Sequence, residues 1–169
     1  DGYLRVTHLD IDDDGDQDVI CYFDGDSYQF GTSAVGWHEN NGTGSLSNFQ
    51  LIDGYAMGIV DMTIGDFTGN GKVDLAIVKG LSTYSNDQAI GFYPNTPAGI
   101  QTPYIPISEQ ADNVQSIIES DVDSDGLKDI IVTSTVDKTV SWHKNLGDNA
   151  WGPIEIISEY ATTAYNNGS

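Results

Sequence analysis

Basic residues are scarce: Lys and Arg number 6 against 26 Asp and Glu, a formal net charge of −20 over 169 residues. Such a field repels nucleic acid and anionic lipid, which excludes both as partners. Cysteine occurs once, so no internal disulfide forms. That residue, Cys21, lies in the apolar run Val19–Phe23 and reads as a small buried side chain. No apolar run is long enough to cross a membrane as a helix. Glutamate is nearly missing too: only Glu39, Glu109, Glu119, Glu155 and Glu159 occur, and the other 21 acidic residues are Asp. A solvated acidic helix would favour Glu over Asp, and no window carries a sustained helical apolar stripe. An opening at Asp1-Gly2 without Met reads as a processed chain or a piece of a longer one.

What is present is a repeat. Asp10-x-Asp12-x-Asp14-Gly15-x-x-Asp18 returns as Asp66-x-Thr68-x-Asn70-Gly71-x-x-Asp74 and as Asp121-x-Asp123-x-Asp125-Gly126-x-x-Asp129, with starts 56 and 55 residues apart. Each loop follows an alternating stretch. Each is then followed by an apolar run, an aromatic run ending in Asn (Trp37–Asn40, Phe92–Asn95, Trp142–Asn145) and a further apolar run (Phe49–Ile52, Tyr104–Ile107, Ile154–Ile157). β-branched and aromatic residues dominate these runs, and Asn, Asp, Gly and Ser separate them. Four strand signals per unit of about 40–50 residues is the arithmetic of a propeller blade. The expected fold is all-β: three four-stranded antiparallel blades at residues 1–56, 57–111 and 112–158, with 159–169 as a link to a next blade or a tail. Three blades leave two open faces, so flanking blades, self-association or an open arc is expected.

The loops suit a hard cation. Ca²⁺ takes about six to eight oxygen ligands, and side chains at loop positions 1, 3, 5 and 9 with the carbonyl at 7 supply such a cage around the turn that Gly permits at position 6. The candidate ligands are Asp10, Asp12, Asp14, the Asp16 carbonyl and Asp18; then Asp66, Thr68, Asn70, the Lys72 carbonyl and Asp74; then Asp121, Asp123, Asp125, the Leu127 carbonyl and Asp129. About three ions are expected, one per blade. The middle loop, with two carboxylates, is expected to be weakest. Asp13 and Asp16 are expected to face solvent. An EF-hand needs Glu at position 12 and flanking helices; here position 12 is Cys21, Ile77 and Val132, between strand signals.

At these loops, with the following Asp18-Val19-Ile20, Asp74-Leu75-Ala76 or Asp129-Ile130-Ile131 and the aromatic-Asn run, the chain resembles the FG-GAP/VCBS-type repeat family of integrin-α-like propellers. The resemblance covers nearly the whole chain and implies Ca²⁺ in the loop joining the first two strands of each blade. The Phe-Gly and Gly-Ala-Pro signatures of the integrin version are mostly absent, which places the chain nearer the VCBS-like branch.

Catalytic signatures are lacking: G-x-S-x-G, HExxH, a P-loop and GxGxxG after a strand do not occur. His38 and His143 share a repeat position, which favours packing or surface duty over catalysis. Trp37, Phe92 and Trp142 read as filling between blades, with a sugar-stacking platform as the alternative. Asn41-Gly-Thr43 and Asn167-Gly-Ser169 are glycosylation sequons, Asn41 in an expected hairpin loop. The expected function is a secreted or cell-surface Ca²⁺-binding module for adhesion, surface or matrix assembly, meeting protein or glycan partners or further copies of itself through blade faces, without catalysis. The alternatives are a lectin-like propeller and the propeller part of a polysaccharide-degrading enzyme.

Overall fold

The structure, a computed structural model, describes residues 4–23, 33–56, 58–80 and 87–159. Tyr3, residues 160–169 and with them the Asn167 sequon lie outside the described residues. Those described are all-β, with no helix among them. The first sheet comprises β1 (Leu4–Leu9), β2 (Asp18–Phe23), β3 (Ala34–His38) and β4 (Gln50–Asp53). The second comprises β5 (Ile59–Gly65), β6 (Asp74–Gly80), β7 (Asp87–Tyr93) and, after a two-stranded hairpin of β8 (Asn95–Thr96) and β9 (Gly99–Ile100), β10 (Ile105–Asp112). The third comprises β11 (Val114–Ser120), β12 (Asp129–Ser134), β13 (Thr139–Gly147) and β14 (Ala150–Glu159). Each sheet is a four-stranded antiparallel meander, ordered β1-β2-β3-β4, β5-β6-β7-β10 and β11-β12-β13-β14. No sheet closes on itself; these are propeller-type blades. The β8–β9 hairpin begins at the Asn that ends the aromatic run, and the same place carries the Asn40–Leu46 bridge in the first repeat and the Asn145–Trp151 and Gly147–Ala150 pairs of β13 and β14 in the third.

The first strands lie side by side. Arg5 Nε donates to the Val60 carbonyl at 2.8 Å, the Ile117 amide donates to Asp61 at 3.0 Å, and Thr63 Oγ1 donates to Glu119 at 2.9 Å. Two cores then fill the joints. Ile20, Tyr22 and Val35, backed by Trp37, meet Leu75, Ile77 and Tyr93 of the second sheet. One repeat on, Ala76, Val78, Ile90 and Phe92 meet Ile117, Ile130 and Val132 of the third. β6 is therefore apolar at successive positions: its odd residues face the first sheet and its even residues the third, and side chains alternate along a strand. A knob from each Asp loop completes each joint, Ile11 in the first and Phe67 in the second, both almost fully buried. Trp37 and Phe92 thus fill contacts between sheets, as their repeat position suggests; Trp142 is half-buried on the outer face of the third sheet.

His143 is buried at 2% exposure, in a pocket whose lining mixes Ile90, Val114, Val132 and Ile154 with Ser134, Asp137, Thr139 and Ser141. Burial pushes its pKa from 6.5 down to about 4. The folded state therefore holds the neutral ring, and its stability contribution is complete above pH 6.5. Between pH 6.5 and 4 the unfolded chain binds the proton more readily, so up to about 3 kcal/mol is lost as pH falls. His143→Leu is expected to flatten that part of the urea-stability profile; an unchanged slope would contradict it. His38, at the same repeat position on the outer side of the first sheet, is half-buried, with Nδ1 2.9 Å from the Ser47 carbonyl.

Candidate metal loops

Each Asp loop joins the first strand of its sheet to the second, and all three share one hydrogen-bond scheme. The position-1 Asp accepts the amide of the position-6 Gly: Gly15 on Asp10, Gly71 on Asp66 and Gly126 on Asp121, at 3.0, 2.8 and 3.0 Å. The position-5 side chain accepts the position-7 amide: Asp16 on Asp14, Lys72 on Asn70, Leu127 on Asp125. Those Gly residues stand at φ of +95°, +84° and +93°, where a Cβ is disfavoured, which is why the repeat keeps Gly there.

The position-9 Asp is a buried clamp. One oxygen accepts the position-2 amide: Ile11 on Asp18, Phe67 on Asp74, Val122 on Asp129, at 2.8, 2.9 and 3.0 Å. The other accepts the amide of the Asn after the third strand: Asn40, Asn95 and Asn145, at 2.8, 2.6 and 2.8 Å. This explains the Asn that closes each aromatic run, a role invisible in the linear sequence because the partners stand 16–22 residues apart. The Asn side chain reaches further. Asn95 Nδ2 donates to Ile11 O at 3.0 Å and Asn145 Nδ2 to Phe67 O at 2.8 Å, hooking each sheet to the loop knob of the one before.

The structure brings together Asp10, Asp12 and Asp18, and likewise Asp121, Asp123 and Asp129, with carboxylate oxygens within 4.8 Å of one another. Oxygens that share one ion bonded at about 2.4 Å stand no further apart than this. Asp14 and Asp125 stand outside these trios, turned to the amides of Asp16 and Leu127. In the middle loop Thr68 and Asn70 are neutral, so Asp66 and Asp74 make no trio of carboxylates among the described residues.

The donor set fits a hard cation most clearly in the first loop. Asp10 Oδ1 is buried and has no hydrogen-bond partner, an uncompensated position for a charged oxygen. Asp12 is held above the usual carboxylate range, first by partial desolvation and then by repulsion from Asp14, Asp18 and Asp10, partly offset by the Asp14 amide. In the third loop a resident cation already sits on the carboxylates: Lys144 Nζ contacts Asp123 and lies 3.1 Å from Asp125. Asp125 is held below its ordinary range by the Leu127 amide first and by Lys144 next, and Lys144 is raised chiefly by Asp123. The matching positions carry Glu39 in the first sheet and Pro94 in the second, so the repeat gave no warning of Lys144. In the middle loop both Asp66 oxygens accept amides, Oδ1 from Gly69 and Asn70 and Oδ2 from Gly71. Burial raises Asp74 against three amides that lower it. Asp13, expected to face solvent, is exposed yet also contacts Lys72 of the next sheet. Asp16 is half-buried.

Blades with an Asp-rich loop between their first two strands define a propeller-type repeat protein. Residues 10–77, which hold the first two loops, match the FG-GAP-like repeat, in line with the resemblance carried by the loops themselves. No curated protein sequence matches the chain.

Proposed function

We propose that the chain is a Ca²⁺-binding, propeller-type module that works outside the cell in adhesion, surface or matrix assembly, without catalysis. The observation that carries this reading is the buried, unpartnered Asp10 Oδ1 set among Asp12 and Asp18. An ion there supplies the missing partner and relieves the repulsion that raises Asp12. Calcium ties loop to strand at up to three places, so the metal contributes directly to folding. Millimolar extracellular calcium suits loops of modest affinity, and the −20 charge favours cations over anionic surfaces.

The loops differ in a way that sets an affinity order. In the first no cation rests on Asp10, Asp12 or Asp18, Lys72 reaching only Asp13; the third must displace Lys144, and the second has two carboxylates. Calorimetric calcium titration is expected to resolve a tightest step that Asp10→Asn removes. Lys144→Ala is expected to tighten the third site by about tenfold, since one close charge–charge contact is worth about 1 kcal/mol or more, and to leave the first step unchanged. Titration with no heat and no bound calcium would sink the reading.

A further inference from the structure

The third sheet departs from the other two at a place where they carry an aromatic ring, and a cavity results. In the first sheet the Phe49 ring lies over Gly36, so close that a Cβ there would stand 2.3 Å from it. The same ring packs 5.6 Å from that of His38. In the second sheet the Tyr104 ring lies over Gly91, again 2.3 Å from such a Cβ, and packs 6.0 Å from Tyr93. His143 holds the position of His38 and Tyr93 in the third sheet, but its surroundings differ twice. Ser141 stands where the two glycines stand, one residue before the aromatic run, and Ile154 stands where Phe49 and Tyr104 stand. The ring and the glycine that receives it are therefore both missing.

The space measures about 190 Å³ and lies between the second and third sheets, with both walls within the described residues. Ile90, Val132 and Ile156 represent the apolar half of its lining, and Thr139, Ser141 and His143 the polar half. Ile154, Ile156 and Asp137 are exposed and mark its mouth. Deeper in, Ser141 is 6% and His143 2% exposed. Among the described residues neither side chain has a hydrogen-bond partner, and burial alone lowers the His143 pKa. A buried imidazole and a buried hydroxyl that face a cavity call for a polar partner inside it.

We propose that this cavity binds a small phenol, an uncharged aromatic ring with one hydroxyl, in the place that Tyr104 fills in the second sheet. Size permits it: an apolar cavity of about 150 Å³ holds benzene, and this one is larger. The divided lining selects it. A ring without a polar atom would leave Ser141 and His143 unpartnered. A sugar, with hydroxyls on all sides, would press several of them against Ile90, Val132 and Ile156 without partners. An anion would be repelled by Asp137 at the mouth and by the net charge of −20. A phenol offers a donor to the neutral imidazole and an acceptor to the Ser141 hydroxyl, with an apolar body for the rest. The site uses side chains of the sheets and not of the Asp loops, so it stands whether or not those loops hold calcium.

The test is titration of the isotopically labelled 169-residue chain with p-cresol, followed by NMR, in calcium and again in EGTA. Saturable shifts are expected at the methyl groups of Ile90, Val132, Ile154 and Ile156 and at the His143 ring, with a dissociation constant on the order of 1 mM. Toluene, which lacks the hydroxyl, is expected to bind about fivefold more weakly. Ser141→Ala is expected to weaken p-cresol by a similar factor and to leave toluene unchanged, which separates hydrogen bonding from shape. Ser141→Gly combined with Ile154→Tyr builds the ring-over-glycine pair of the second sheet into the third. It is expected to abolish the shifts with an unchanged far-UV spectrum. Ser141→Ala, which leaves the packing in place, decides the matter if the double variant does not fold. Absence of saturable shifts, p-cresol binding that Ser141→Ala leaves intact, or tighter binding of methyl glucoside than of p-cresol would overturn the proposal.

Discussion

Asp74→Asn is expected to destabilise the chain by about 3–5 kcal/mol, the largest effect of any single substitution outside the apolar cores. Asp74 is fully buried and its oxygens accept three amides: Phe67 at 2.9 Å and Thr68 at 3.1 Å on one, Asn95 at 2.6 Å on the other. Both oxygens therefore face donors. An amide side chain in either orientation sets its own NH₂ against a backbone N–H, so one or more buried donors lose their acceptor and the charge that strengthened the rest is gone. The damage is central, because the same clamp positions Phe67 in the second joint and Asn95, whose side chain holds the first. Equilibrium urea denaturation measures it. The exposed Asp137→Asn is expected to change stability by less than about 0.5 kcal/mol and serves as the comparison; equal, small effects of the two substitutions would contradict the clamp.

Much of this architecture is legible in the sequence because a repeat shows the same instruction three times. The Asp loops, the four strand signals and the aromatic residues at the joints all follow from residue type and period, and the three sheets occupy residues 4–53, 59–112 and 114–159. What stayed hidden is non-local. Asn40, Asn95 and Asn145 read as the end of a strand, yet each donates its amide to a buried Asp and two of the three reach the neighbouring sheet. Period-two alternation places Cys21 on one face of β2 but does not say whether that face is covered, so a residue expected to be buried is half-exposed to solvent at an open end. Lys144 departs from the repeat, and only its spatial approach to Asp123 and Asp125 reveals it as a built-in counter-ion.

The second large effect concerns the metal itself. Asp10, Asp12 and Asp18 share a small volume with one oxygen unpartnered, an arrangement whose repulsion a cation would relieve. An ion that binds only the folded chain adds about 2.7 kcal/mol per site when its concentration is a hundred times its dissociation constant. Two filled sites would raise the unfolding midpoint by roughly 10–20 °C for a domain of this size. The third loop should gain less than the first, because Lys144 already neutralises part of its charge and must move aside.

Thermal unfolding of the native chain in millimolar calcium and again in EGTA tests this most directly. The midpoint is expected to fall by roughly 10–20 °C on chelation and to return when calcium is restored in excess. Superimposable curves in calcium and in EGTA would contradict the account, leaving the three loops as Asp turns held by their own backbone amides.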